Sequence, residues 1–160
     1  MIQKTRVAVA VAAVLIVAAS WAVAQSKDPL VGTWHLNVAK SKYSPGPAPK
    51  AATTTIAASG SGYKFTVHQE PATGAAQDWS FTTNFDGKPS KVTGNNPNAD
   101  MVTYKRIDAT TYETVSTKGG KETSRQHVVY AADGKSRTVT TTGTDAAGQK
   151  INNVAVYDRK

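Results

Sequence analysis

A rhythm constrains this chain more than any single motif. From Ala51 onward, short stretches alternate apolar with polar residues, and each is closed by Gly, Asp, Asn or Pro. Tyr63, Phe65 and Val67 fall on one face of an extended chain, with Lys64, Thr66 and His68 on the other. Trp79, Phe81 and Phe85 alternate in the same way with Ser80, Thr82 and Asn84. This period of two marks half-buried β-strands. The punctuation is regular: Gly60-Ser61-Gly62, Pro71 to Gly74, Asp86-Gly87, Gly94 to Asn98, Asp108-Ala109, Gly119-Gly120, Asp133-Gly134 and Asp145 to Gly148. Asp86-Gly87 predicts a hairpin, because both residues tolerate positive φ. No segment carries apolar residues at helical spacing. The pattern predicts about ten short strands joined in sequence, an antiparallel meander. Such a meander closes on itself to remove exposed edges, so the expected fold is an all-β, up-and-down antiparallel barrel of about 8–10 strands. A Greek-key sandwich is the alternative.

Upstream of this series, Val31 to Val38 forms an opening strand with Trp34, Leu36 and Val38 on its apolar face. Lys40 to Lys50 follows, with Pro45, Pro47 and Pro49 at every second position. Proline lacks the amide donor and fixes φ, which predicts a stiff, extended crossing or lid segment. Beyond residue 24 the chain holds 19 Leu, Ile, Val or Phe but 20 Thr and 11 aromatics. That mixture favours a thin-cored sheet over both a dense core and disorder.

The first 24 residues have the layout of an export signal. Lys4 and Arg6 precede an apolar run from Val7 to Ala19, and Ala22-Val23-Ala24 offers a small-residue cleavage site before Gln25. The expected organisation is a signal peptide over 1–24 and a single domain over 25–160, secreted or periplasmic. The alternative is a retained N-terminal anchor. Loss of Lys4 and Arg6 lowers the formal charge from +8 to +6. The remaining basic residues are scattered rather than run together, which argues against nucleic acid as partner. Stable membrane insertion after signal removal is not expected. The chain has no cysteine, which excludes disulfides, thiolate chemistry and cysteine metal sites.

Two further stretches bracket the domain. The opening strand carries Gly32-Thr33-Trp34, and the chain closes on Val154-Ala155-Val156-Tyr157-Asp158. With the meander between them, these resemble the lipocalin and fatty-acid-binding (calycin) superfamily. LVGTWHLNVAKSKYSPGPAPK and FDGKPSKVTGNNPNAD are similar to uncharacterised exported bacterial lipocalin-like proteins. The resemblance implies that Trp34 packs across one barrel end and that the interior holds a small apolar or amphipathic molecule. Fatty-acid binders hold the ligand carboxylate with an Arg-x-Tyr pair on the closing strand. Here the tyrosine position is Tyr157, but the arginine position is Ala155. The helical lid of those proteins has no counterpart, since Ser41 to Lys50 is too short and too rich in proline.

The candidate ligand-binding residues are Tyr63, Phe65, Trp79, Phe81, Tyr104, Arg106 and Tyr157. Tyr63, Phe65, Trp79 and Phe81, joined by Tyr104, Tyr112 and Tyr130, share the predicted inner face, where they either fill the core or line a cavity; Tyr157 is a candidate through the resemblance. Arg106 alternates in phase with Val102 and Tyr104; it either points inward toward an acidic ligand group or lies solvated at a strand end beside Asp108. His35, His68 and His127 sit on separate strands without metal-ligand spacing, so no metal site is expected. Asp86, Asp133 and Asp145 are explained by turn chemistry. No nucleophile elbow or placed carboxylate pair is present, so no catalytic residue and no cofactor are expected. The expected function is non-catalytic binding of a small apolar or amphipathic ligand. The alternative is an interaction protein, an inhibitor or envelope-associated factor, acting through its loops. An enzymatic reading without a sequence motif, of the isomerase type, is the third.

Overall fold

A computed structural model describes residues 28–144 and 148–160. The expected signal segment, 1–24, lies outside the described residues, as do residues 145–147 of the last predicted turn. Eleven strands are present among the described residues: β1 (Gly32–Lys42), β2 (Ala51–Ser59), β3 (Gly62–Glu70), β4 (Gln77–Thr83), β5 (Asp86–Lys91), β6 (Thr93–Gly94), β7 (Met101–Arg106), β8 (Thr111–Lys118), β9 (Lys121–Tyr130), β10 (Ser136–Thr144) and β11 (Lys150–Arg159). All pairings are antiparallel, in the order β5-β7-β8-β9-β10-β11-β1-β2-β3-β4-β6. The all-β up-and-down barrel is therefore the fold.

Closure is made differently from the expected hairpin. β4 and β5 are not hydrogen-bonded neighbours. Instead β5 and β6 are two halves of one segment, Asp86 to Gly94, parted at Val92. Its first half pairs with β7, Ser90 opposite Val102 and Lys91 opposite Met101. Its second half pairs with β4, Ser80 opposite Thr93 and Trp79 opposite Gly94. One segment thus carries the ladder from β4 around to β7, and the barrel is nearly closed. The turn itself falls at Asn84-Phe85, where Phe85 takes a φ of 58°. Its ring repays the backbone strain by packing between Tyr63 at 4.9 Å and Tyr112 at 5.0 Å. Asp86-Gly87 reads as a hairpin locally, but the chain turns just before it, at Phe85, whose partly buried ring packs against the core.

The opening strand also departs from simple alternation. Asn37 pairs with Val156, yet the next paired residue is Lys42, opposite Val154. The bulged residues break the phase, which explains why Val38 is exposed although Trp34 and Leu36 face inward. Ser41 Oγ patches the bulge, donating to Asn37 O at 2.7 Å and accepting from the Val156 amide at 3.0 Å. The proline segment beyond it is tied down as well. Ser44 N donates to Asn153 Oδ1 at 3.0 Å, and Asn152 N donates to Ser44 O at 2.7 Å.

The core is lopsided along the barrel axis. At the end where β1 begins and β11 finishes, Trp34 and Tyr112 are completely buried. Tyr130 stands edge-on to both, at 5.2 Å from Trp34 and 5.7 Å from Tyr112. Trp34 Nε1 donates to Leu30 O at 3.1 Å. Arg159 lies 5.4 Å over the Trp34 ring and donates to the carbonyls of Val31 and Gly134. This end is a solid aromatic plug. The opposite end, where the proline segment crosses, is open.

Candidate functional site

The open end leads to two adjoining chambers that share part of their walls. The outer one, about 320 Å³, lies beneath Pro45, Pro47 and Pro49 and is walled by amides and hydroxyls such as Gln69, Asn98 and Thr141. The inner one, about 170 Å³, reaches the barrel centre beside Phe65, Phe81, Tyr104 and Val128. Trp79, Gln126, Val139 and Tyr157 border both. The register explains why aromatics gather here. Phe65 on β3 pairs directly with Phe81 on β4, and their rings stack at 4.8 Å with only 7° between planes. Tyr104 on β7 closes against Phe65 at 5.2 Å. Offset stacks of this kind add about 0.5–1.5 kcal/mol beyond area burial, so the wall is stiff before any ligand enters.

Of the residues singled out from sequence, Phe65, Trp79, Phe81, Tyr104 and Tyr157 meet around these chambers. Tyr63 lies outside the chamber linings, with its ring against Phe85 and its hydroxyl bonded to Asp28. That bond, with burial second, leaves the Tyr63 phenol pushed up to about 12. Arg106 is exposed at the end of β7. Its guanidinium donates to the backbone carbonyls of Asp108 at 3.0 Å and Ala109 at 3.3 Å, so it serves the β7–β8 turn.

Arg137 is the residue the sequence reading missed. It lines the inner chamber, yet it is only 5% exposed. In the ladder it stands opposite Tyr130 on β9 and Tyr157 on β11. Its guanidinium therefore lies among rings, 4.6 Å from Tyr157, 5.4 Å from Trp34 and 5.9 Å from Tyr130. Nη1 donates to the Tyr130 hydroxyl at 3.3 Å, whereas Nε has no partner. No carboxylate among the described residues pairs with it. The one usable signal was phase: Arg137 shares alternation with Val139, a core residue two positions on.

The phenols of the chamber are held neutral. Burial raises Tyr157, against the opposing pull of Arg137. Burial also raises Tyr104 well above the ordinary phenol range, with Tyr130 adding to it. Tyr43, at the mouth, is raised by burial and then by Tyr157. Neutral phenols can donate hydrogen bonds but offer no base at neutral pH. Among the described residues no three His, Asp or Glu gather as a metal cage. What this arrangement can do is hold a molecule, apolar along one wall and polar at its two ends.

Comparison with protein-family models, curated proteins and solved structures finds no match to this chain.

Proposed function

We propose that this is an exported barrel protein that takes one small apolar or amphipathic molecule into its interior, without a catalytic step. The observation that carries the reading is the asymmetry of the core. Trp34, Tyr112 and Tyr130 plug one end, while an aromatic-walled cavity opens under the proline segment at the other. A barrel needing only stability would fill both ends, because unfilled volume forfeits dispersion contacts. The lipocalin-like assignment belongs to this proposal, supported by Gly32-Thr33-Trp34 and the nearly closed meander. So does a secreted or periplasmic location, supported by the layout of residues 1–24.

Titration with the neutral fluorophore N-phenyl-1-naphthylamine tests the reading. Saturable one-to-one binding is expected in the wild type. Trp79→Ala, which strips an apolar wall shared by both chambers, should weaken it about tenfold, the equivalent of about 1.4 kcal/mol of lost contact. Ile107→Ala, on the exterior, should change nothing. Unchanged affinity in a folded Trp79→Ala protein would remove the proposed cavity from consideration.

A further inference from the structure

We propose that the outer chamber is a binding site for a neutral saccharide, one or two rings bearing several hydroxyls. The site lies toward the open end, and it goes beyond the reading above, since it does not depend on what the inner chamber takes.

The inner face of the barrel changes character at one level on four strands. Toward the open end, Val128 gives way to Gln126 on β9, Val139 to Thr141 on β10, Val67 to Gln69 on β3 and Trp79 to Gln77 on β4. The register gathers the polar residues into two patches. Gln126 pairs with Thr141, and Thr141 with Asn153; on the other patch Gln69 pairs with Gln77. Both patches line the one chamber beneath the prolines.

Many of these groups have no partner within the protein. Ser124 lines the chamber while 8% exposed, yet its hydroxyl makes no hydrogen bond among the described residues. The same is true of the side chains of Gln69, Gln77 and Thr141. Two more amides are already oriented: Asn153 Oδ1 accepts from Ser44 N at 3.0 Å, and Gln126 Oε1 accepts from Thr114 Oγ1 at 3.4 Å. Their NH₂ groups are left as donors. Shielded polar groups without partners cost stability, and a ligand that supplies partners recovers it.

The lining sets the ligand's chemistry. None of the described residues around the outer chamber is Asp, Glu, Lys or Arg, although the chain carries 19 basic and 11 acidic residues. A charged ligand would lose hydration there and meet no counter-ion. Carboxamides and hydroxyls each offer both donors and acceptors. A ketone or ester would use only the donors, whereas neighbouring sugar hydroxyls use both. Trp79 completes the match, because a sugar ring also has an apolar C–H face, and the half-buried indole borders the chamber two residues from Gln77. The volume, about 320 Å³, sits at the lower end of the roughly 300–1,000 Å³ of small-molecule pockets. One or two sugar rings fit it.

NMR titration of ¹⁵N-labelled protein with glucose, galactose, N-acetylglucosamine, maltose and cellobiose tests the site, with glucuronate as the charged comparison. At least one neutral sugar should bind with a Kd of about 1 mM or below, shifting the side-chain amide signals of Gln69, Gln77 and Gln126. Glucuronate should leave those signals in place. The double substitution Ser124→Ala and Thr141→Val, which removes two hydroxyls from the outer lining, should weaken the sugar about tenfold. The wild-type amide shifts carry the test even if the double variant fails to fold. Amide signals that no neutral sugar moves, an equal response to glucuronate, or unchanged sugar affinity in a folded double variant would overturn the saccharide site. If N-phenyl-1-naphthylamine still binds in that case, the cavity reading stands. Sugar binding without uptake of the fluorophore would do the reverse, and failure of both would overturn both.

Discussion

Replacing Gly94 with alanine should damage the barrel at its seam. Gly94 sits at φ +106°, and a Cβ there would lie 2.1 Å from Asp78 O and 2.8 Å from Trp79 Cα. Both are backbone atoms of β4, so one strand has to move. At stake are the bond from Asn95 N to Asp78 O at 2.8 Å and the bond from Asp78 N to the Asn95 side chain. Backbone strain contributes about 1–3 kcal/mol and the forced displacement another 1–3 kcal/mol. Gly94→Ala should therefore cost about 2–6 kcal/mol, a large share of the 5–15 kcal/mol that holds a typical domain folded. Gly74 is the control. It also has positive φ, +89°, but nothing lies within 4 Å of its added Cβ. Gly74→Ala should show only the backbone penalty. Urea unfolding of the two variants, with slopes compared to the wild type, separates strain from steric conflict. If Gly94→Ala costs no more than Gly74→Ala, the Asp86–Gly94 segment does not close the barrel as described.

Three further substitutions probe the plug and the surface. Tyr112 is completely buried and its hydroxyl has no hydrogen-bond partner, so Tyr112→Phe should be neutral or stabilising by about 1 kcal/mol; a loss of that size in thermal unfolding would show that the hydroxyl is bonded. Arg159→Met should cost about 2 kcal/mol, since it removes donors to the Val31 and Gly134 carbonyls and the cation over Trp34; a change within about 0.5 kcal/mol would discount the clamp. His68 bonds to Asp78 at 2.7 Å, which raises its pKa above the ordinary histidine value, with Glu70 contributing less. The sign follows: the stabilisation it provides is fully present below the unfolded pKa and is lost as pH rises through the raised folded pKa. An NMR titration should find that Asp78→Asn lowers the His68 midpoint; an unmoved midpoint would contradict the pairing.

The fold was legible in the sequence because its determinants are local. Alternation fixes which side chains face inward, and Gly-Gly, Asp-Gly and Pro-containing turns mark where strands end. The closure was not legible. Asp86-Gly87 carries strong hairpin chemistry, and nothing nearby tells that Phe85 turns the chain or that residues 86–94 divide their pairing between β4 and β7. The bulge at Val38 to Ser41 escaped for the same reason, since it is set by the register against Val154 and Val156. Within the site, phase led to Phe65, Trp79, Phe81 and Tyr104. The same rule left Arg106 either inward or solvated at the strand end beside Asp108; the strand end decides, because it lets the long side chain turn back to the carbonyls of Asp108 and Ala109. Arg137 was passed over as one of many scattered basic residues, because arginine is seldom buried. Only the pairing of β9, β10 and β11 brings Tyr130 and Tyr157 to its two sides.

The central claim is that the interior holds a small molecule, and native mass spectrometry addresses it without a mutation or an assumed ligand. Protein purified gently from the cells that make it should carry a single non-covalent adduct of small mass, lost on acid unfolding. After that adduct is stripped, N-phenyl-1-naphthylamine should restore a one-to-one complex. A bare chain that takes up no N-phenyl-1-naphthylamine would contradict the account.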